Sequence, residues 1–118
     1  MIHVLDKEWS ILGIPMAINC QEIYSLLKYE GAVPQLISIK DIGHKPIDLI
    51  DKEDIRYLNA NLNLPAIVVR GMQNPLNKPY RMIDGRHRIL KAKENKIPEL
   101  LTYVIDEKRA LKHMQQYI

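Results

Sequence analysis

In YRMIDGRHRIL, residues 80–90, an extended run ends on Ile83 and a helix begins within two residues, leaving only Asp84-Gly85 for the turn. This junction is the strongest constraint in the chain, because it commits the fold to strands and helices in direct succession. The neighbouring segments read in the same alternating way. Asn19 suits an N-cap and Glu22 lies three residues on, a capping box opening a helix with Ile23, Leu26 and Leu27 on its apolar face and Gly31 as its stop. Before it, Ile2 to Ile18 is mixed, and Gly13 and Pro15 prevent a long helix. Gln35 to Ile42 alternates apolar and polar residues, as a half-buried strand does. Asp51 can cap a second helix whose Ile55, Leu58 and Leu62 form a stripe.

Leu64 to Arg70 (LPAIVVR) is continuous and β-branched, the pattern of a strand covered on both faces. Gly71 to Pro79 is a polar loop rich in turn formers, and Tyr80 to Ile83 follows as a short strand. The helix runs from about Arg86 to Asn95, Pro98 to Ile105 returns as a strand, and a last helix starts near Asp106 with Ala110, Leu111, Met114 and Tyr117 inward. The order predicts an α+β domain, a small mixed β-sheet flanked by helices. At 118 residues it is expected to be a single domain, 1–118.

Charge is distributed unevenly. Lys78 to Lys96 holds seven Lys/Arg and two acids, a local charge of +5, whereas the rest of the chain has ten against twelve. Within that stretch Arg86, His87 and Arg88 crowd the start of a helix, whose first N–H groups lack intrahelical partners and carry partial positive charge. Basic groups are unfavourable there, and an anionic ligand would relieve the cost. Gly85 would let that ligand approach the backbone. A structural account is also open: Asp84 as an N-cap, Arg86 and Arg88 solvated, His87 bonded to a carbonyl in the core. The run lacks the repeated glycines and Lys-Ser/Thr pair of a nucleotide P-loop. Lys91, Lys93 and Lys96 continue along the helix, either as a solvated face or as a stripe for a phosphodiester backbone. Tyr80 and Tyr103 suit base stacking or strand packing, and His3, His44 and His113 show no metal-ligand spacing.

Other bounds follow from composition. The single cysteine, Cys20, allows no internal disulfide, and no apolar stretch approaches the length of a membrane span. The N-terminus has no signal-peptide pattern, so a cytoplasmic protein without membrane association is expected.

The stretch YRMIDGRHRILKAKENKIPELLTYVID resembles the signature of the ParB/sulfiredoxin superfamily, in which a strand runs into a Gly-x-His-Arg or Gly-x-Arg-Arg turn opening a helix. Upstream, QLISIKDIGHKPI is similar to that superfamily's first strand and basic-Pro turn, and LPAIVVRG to the strand before its signature. The resemblance covers residues 35–106, leaving 1–34 as an N-terminal strand/helix extension and 107–118 as a C-terminal helix. It implies a nucleotide site, for ATP/ADP as in sulfiredoxins and free-serine kinases or CTP as in partition clamps. Gly85, His87 and Arg88 would contact phosphates, with Arg86 beside them and Lys45 as a second cationic contact. Asp84 would be a Mg2+ partner or polarising catalytic carboxylate in hydrolysis or phosphoryl transfer.

The departures narrow that expectation. Arg86 stands where a sulfiredoxin needs its cysteine, which argues against sulfinic-acid reduction. The sequence stops at Ile118, without the helix-turn-helix reader of partition proteins, and lacks their Asn-Gln pair after the signature helix. Asp48, Asp51 and Glu53 are candidates by position for a kinase glutamate. The alternative expectation is a non-enzymatic DNA- or partner-binding module, or a ParB-like nuclease. A homodimer through the last helix is a further expected association.

Overall fold

The computed structural model describes residues 2–5, 16–46 and 55–116. The protein is an α+β fold with two sheets. Strands β1 (Ile2–Leu5), β2 (Met16–Asn19) and β8 (Met114–Gln116) form a small antiparallel sheet in the order β1-β2-β8. Strands β3 (Gln35–Ser38), β4 (Ile42–Gly43), β5 (Ala66–Arg70), β6 (Tyr80–Asp84) and β7 (Glu99–Asp106) form a mixed sheet in the order β3-β7-β5-β6-β4. Among the described residues four α-helices accompany them: α1 (Cys20–Tyr29), α2 (Ile55–Leu58), α3 (Arg86–Glu94) and α4 (Glu107–Lys112). Among the described residues no helix is long and apolar enough to cross a membrane.

β5 is the centre of the large sheet, parallel to β7 and antiparallel to β6. Its alternating side chains serve two cores. Ile67 and Val69 join Met16, Ile18, Ile23, Leu27 and Tyr103 in a cluster that packs β2 and α1 on one face. Ala66 and Val68 join Met82, Ile89, Ala92 and Leu100 in a second cluster that packs α3 on the other. The expectation of a strand covered on both faces therefore holds.

The alternating run 35–42 is not one strand. β3 pairs with β7, a 3-10 turn over Ile39–Asp41 intervenes, and β4 pairs with β6 at the opposite edge. Three 3-10 residues rise about 6 Å, whereas the five strands laid flat would set their edges about 19 Å apart. The sheet must curl to bring β3 and β4 together. The amide of Ile39 donates to the Pro98 carbonyl at the bend.

Helix α1 begins where expected, with the Asn19 side chain accepting from the Glu22 amide at 3.1 Å. The Glu22 carboxylate faces His113 at 3.3 Å, because the turn after α4 brings that ring to the start of α1. Leu26 lies at the exposed margin of α1, and Cys20, Ile23 and Leu27 form the buried stripe. The expected stripe on α2 is corrected. Ile55 and Leu58 are exposed and only Leu62 is partly buried, since one turn of helix cannot present a wide inner face. The proposed cap Asp51 lies outside the described residues.

The C-terminal helix is also shorter than the expected 107–118. Asp106 caps α4, its side chain accepting from the Arg109 amide at 2.7 Å, and the helix ends at Lys112. The chain then turns at His113 and enters β8, whose backbone pairs with β2. Ala110 is buried and Met114 packs on the first cluster as expected, while Tyr117 lies outside the described residues.

Loop 71–79 is organised by one buried side chain. Asn74 donates to the carbonyls of Met72 (3.2 Å) and Lys78 (2.9 Å) and accepts from the amides of Leu76 (3.2 Å) and Lys78 (3.1 Å). A Cβ at position 43 would strike this amide, so Gly43 lets β4 pass against the loop. Asn74→Ala should lower the free energy of unfolding by about 3 kcal/mol, as expected for several buried hydrogen bonds lost together. Chemical denaturation of the two proteins measures it, and equal stability would remove the loop's dependence on Asn74.

Candidate functional site

The site is built where β6 runs into α3. β6 ends on Asp84, and Gly85 adopts φ 121° as the residue before the helix. A Cβ on Gly85 would come within 2.5 Å of the Ala66 Cβ, so the turn is pressed against β5. Only glycine combines that conformation with that approach. Gly85 occupies the N-cap position of α3, so Asp84 is not its N-cap residue and the cap itself offers no side-chain acceptor.

Around this turn lies a cavity of about 630 Å3. Asp84, Gly85, Arg86, His87 and Arg88 all line it, and so does Lys45, which reaches it from the segment after β4. The structure thus gathers all six sequence-nominated residues into one concavity. It also adds residues that the sequence reading did not nominate. α1 forms one wall with Cys20, Gln21, Tyr24 and Lys28, and the segment after α2 forms another with Asn59, Asn61 and Leu64. Spacing holds a partial signal for the first wall: positions 20, 24 and 28 recur every four residues, so one face of α1 carries them together.

The electrostatic character is cationic. Lys28, Lys45, Arg56, Arg81, Arg86 and Arg88 line the cavity, and among the described residues Asp84 is the one carboxylate that does. Arg81 is buried, which places a guanidinium in the wall itself. Arg86 is exposed and donates to the Pro46 carbonyl at 3.0 Å, tying the helix start to the basic-Pro turn. Arg88 is half-buried and donates to the Pro65 carbonyl at 2.8 Å and the Tyr24 hydroxyl at 3.2 Å. Tyr24 in turn donates to Asp84 Oδ2 at 2.7 Å. Neither arginine is merely solvated.

His44, beside Lys45, is buried and has both ring nitrogens engaged. Nδ1 donates to the Lys45 carbonyl at 2.8 Å, and Nε2 accepts from Lys93 Nζ at 2.9 Å. Burial lowers its pKa, and the charges of Lys93, Arg86 and Arg81 lower it further. The ring is therefore neutral at pH 7. Lys91 also turns inward, donating to the carbonyls of Leu58 (3.4 Å) and Ala60 (2.9 Å). Two of the three helix lysines thus hold the walls of the cavity.

No family model, curated protein or solved structure matches this chain. Its functional reading rests on the geometry.

Cys20 reaches the same cavity from α1. Its thiol donates to the Ile83 carbonyl at 3.7 Å, and its pKa is pushed up to about 12, first by burial and then by the Asp84 charge. It is a packing group and not a nucleophile. Among the described residues no cluster of three His, Cys, Asp or Glu could hold a metal ion. Asp48, Asp51 and Glu53 lie outside the described residues.

Two outcomes follow. The native Cys20 thiol should resist an aromatic disulfide reagent at pH 8 and react promptly once the chain is denatured, read by release of the coloured thiol. His44 binds its proton less readily when folded than when unfolded, so its contribution to stability is complete above the ordinary value of 6.5 and is lost as pH falls below it. Denaturation midpoints between pH 7.5 and 5 should fall for the wild-type chain and change less for His44→Gln.

Proposed function

We propose that this chain is a ParB/sulfiredoxin-like domain that binds a nucleoside phosphate, ATP/ADP or CTP, in the cavity over residues 84–88. The observation that carries this reading is the convergence of six Lys/Arg side chains and a glycine-opened helix start on one concavity with a single described carboxylate. A phosphate chain at that point would receive backbone N–H donors and the dipole of α3, together with charge from Arg86 and Lys45. A cavity of about 630 Å3 falls in the range of small-molecule sites. The inward engagement of Lys91 and Lys93 favours a ligand held in the cavity over a nucleic-acid strand tracking the helix.

Phosphoryl transfer or hydrolysis asks mainly for positioning and charge neutralisation. Arg86, His87, Arg88 and Lys45 would supply the neutralisation, and Asp84 is the carboxylate at hand to polarise an attacking group. Mg2+ commonly travels with phosphates and needs only one or two protein carboxylates, a demand Asp84 can meet.

Calorimetric titration with ATP, ADP and CTP, with and without Mg2+, tests the reading. At least one should bind, and Arg86→Ala or Lys45→Ala should each weaken it about tenfold, the effect of one charge-assisted contact. Absence of binding at millimolar ligand, or unchanged affinity in both variants, would overturn it.

A further inference from the structure

Arg88 stands in the first turn of α3 and lines the cavity, and its guanidinium is held through one nitrogen. Nη1 donates to the Pro65 carbonyl at 2.8 Å and to the Tyr24 hydroxyl at 3.2 Å, which uses both of its hydrogens. Among the described residues these are the hydrogen bonds of the Arg88 side chain. The N–H groups of Nε and Nη2 are left over. One from each points the same way along one edge of the planar group, and that edge matches two oxygens of a single phosphate.

Resting on the nucleotide reading above, we propose that Tyr24 is a positioning residue that turns the Nε–Nη2 edge of Arg88 toward the phosphates. The Tyr24 hydroxyl reaches Nη1 from α1, and the Pro65 carbonyl reaches it from the approach to β5. Held at two points by two elements, the guanidinium plane cannot swing about its long side chain. Its open edge is oriented before a phosphate arrives, so the ordering of that side chain is completed in folding and not on binding. A phosphate is then recognised by the shape of the fork as well as by charge, which lysine at position 88 could not reproduce.

The anchor is itself fixed. The Tyr24 ring meets Tyr103 of β7 edge-on, with centroids 6.2 Å apart and planes at 61°. One turn earlier, the Cys20 thiol ties α1 to the Ile83 carbonyl of β6. The phenol gives its own proton to Asp84 Oδ2 at 2.7 Å, which leaves an oxygen lone pair for Arg88. Burial and then the Asp84 charge raise the phenol's pKa, so the hydroxyl stays protonated and keeps both bonds. α1 belongs to residues 1–34, outside the stretch 35–106 that resembles the superfamily. The N-terminal extension therefore supplies the anchor for an arginine of the nucleotide turn.

A double-mutant cycle tests this. Wild type, Tyr24→Phe, Arg88→Ala and the double variant are titrated with ATP and with inorganic tripolyphosphate, all in EDTA. Tyr24→Phe keeps the ring and removes only the hydroxyl. Thermal melting verifies that each variant folds, and Arg88→Lys serves as the second background if Arg88→Ala does not. Both probes should bind Tyr24→Phe about five- to tenfold more weakly than wild type, the size of one polar contact. With Arg88 already truncated, the same change should alter affinity by about twofold or less. Arg88→Lys should bind as weakly as Arg88→Ala, because it restores the charge and not the edge. The Arg88 Nε–H resonance gives a signature that a purely structural role would not move. On adding tripolyphosphate it should shift downfield in wild type and stay near its ligand-free position in Tyr24→Phe. Wild-type affinity in Tyr24→Phe, an equal loss in both backgrounds, or full affinity in Arg88→Lys would overturn the positioning role and leave nucleotide binding intact. Failure of the wild-type chain to bind either probe would defeat the nucleotide reading and this role with it.

Discussion

β5 has neighbouring strands along both edges and helices over both faces, and four of its five residues are buried. That arrangement depends on small and β-branched side chains, because anything larger at Ala66 would collide with the turn at Gly85. The closeness of Ala66 to the place where a Cβ would stand on Gly85 seats the start of α3 directly on the sheet. The two cores then place α1 on one side and α3 on the other, so both helices meet at the end of β6. The cavity is a consequence of that packing. Its floor is the one turn the chain can make there.

The charges around the floor are restrained by neutral groups. His44 is uncharged and joins Lys93 to the Lys45 backbone; the Tyr24 hydroxyl accepts from Arg88 and donates to Asp84. The Pro46 carbonyl accepts from Arg86 and the Pro65 carbonyl from Arg88. Carbonyl and phenol partners of this kind orient Arg86 and Arg88 without neutralising their charge. On the proposed nucleotide reading, a cavity held in this way would be preorganised for an anion, the cost of assembling like charges being met in folding.

Much of this was readable along the chain, and the failures have identifiable causes. The Asp-Gly turn, the Asn19 cap and the β5 run are local or strongly patterned, so propensity and periodicity find them. The run 35–42 alternates well enough to pass for one strand, but only its pairing partners on two edges of a curled sheet reveal the bend at 39–41. Similarly, Met114 to Gln116 continues an apolar helix pattern, yet the backbone of β2 offers hydrogen bonds that the helix would forgo. The stripe on α2 fails because its apolar residues have no core to face.

Composition and local order determined the α+β class, the cationic strand-turn-helix and the turn at Asp84-Gly85, since these follow from steric and electrostatic rules within a few residues, whereas the contact with Ala66 that demands glycine at 85 is tertiary. Tertiary structure alone decided which distant groups join them. Tyr24 lies 60 residues from Asp84 and donates to it, and Arg86 reaches the Pro46 carbonyl across 40 residues. No periodicity encodes those meetings, because they depend on how two separate cores align α1, the basic-Pro turn and α3 at one end of the same strand.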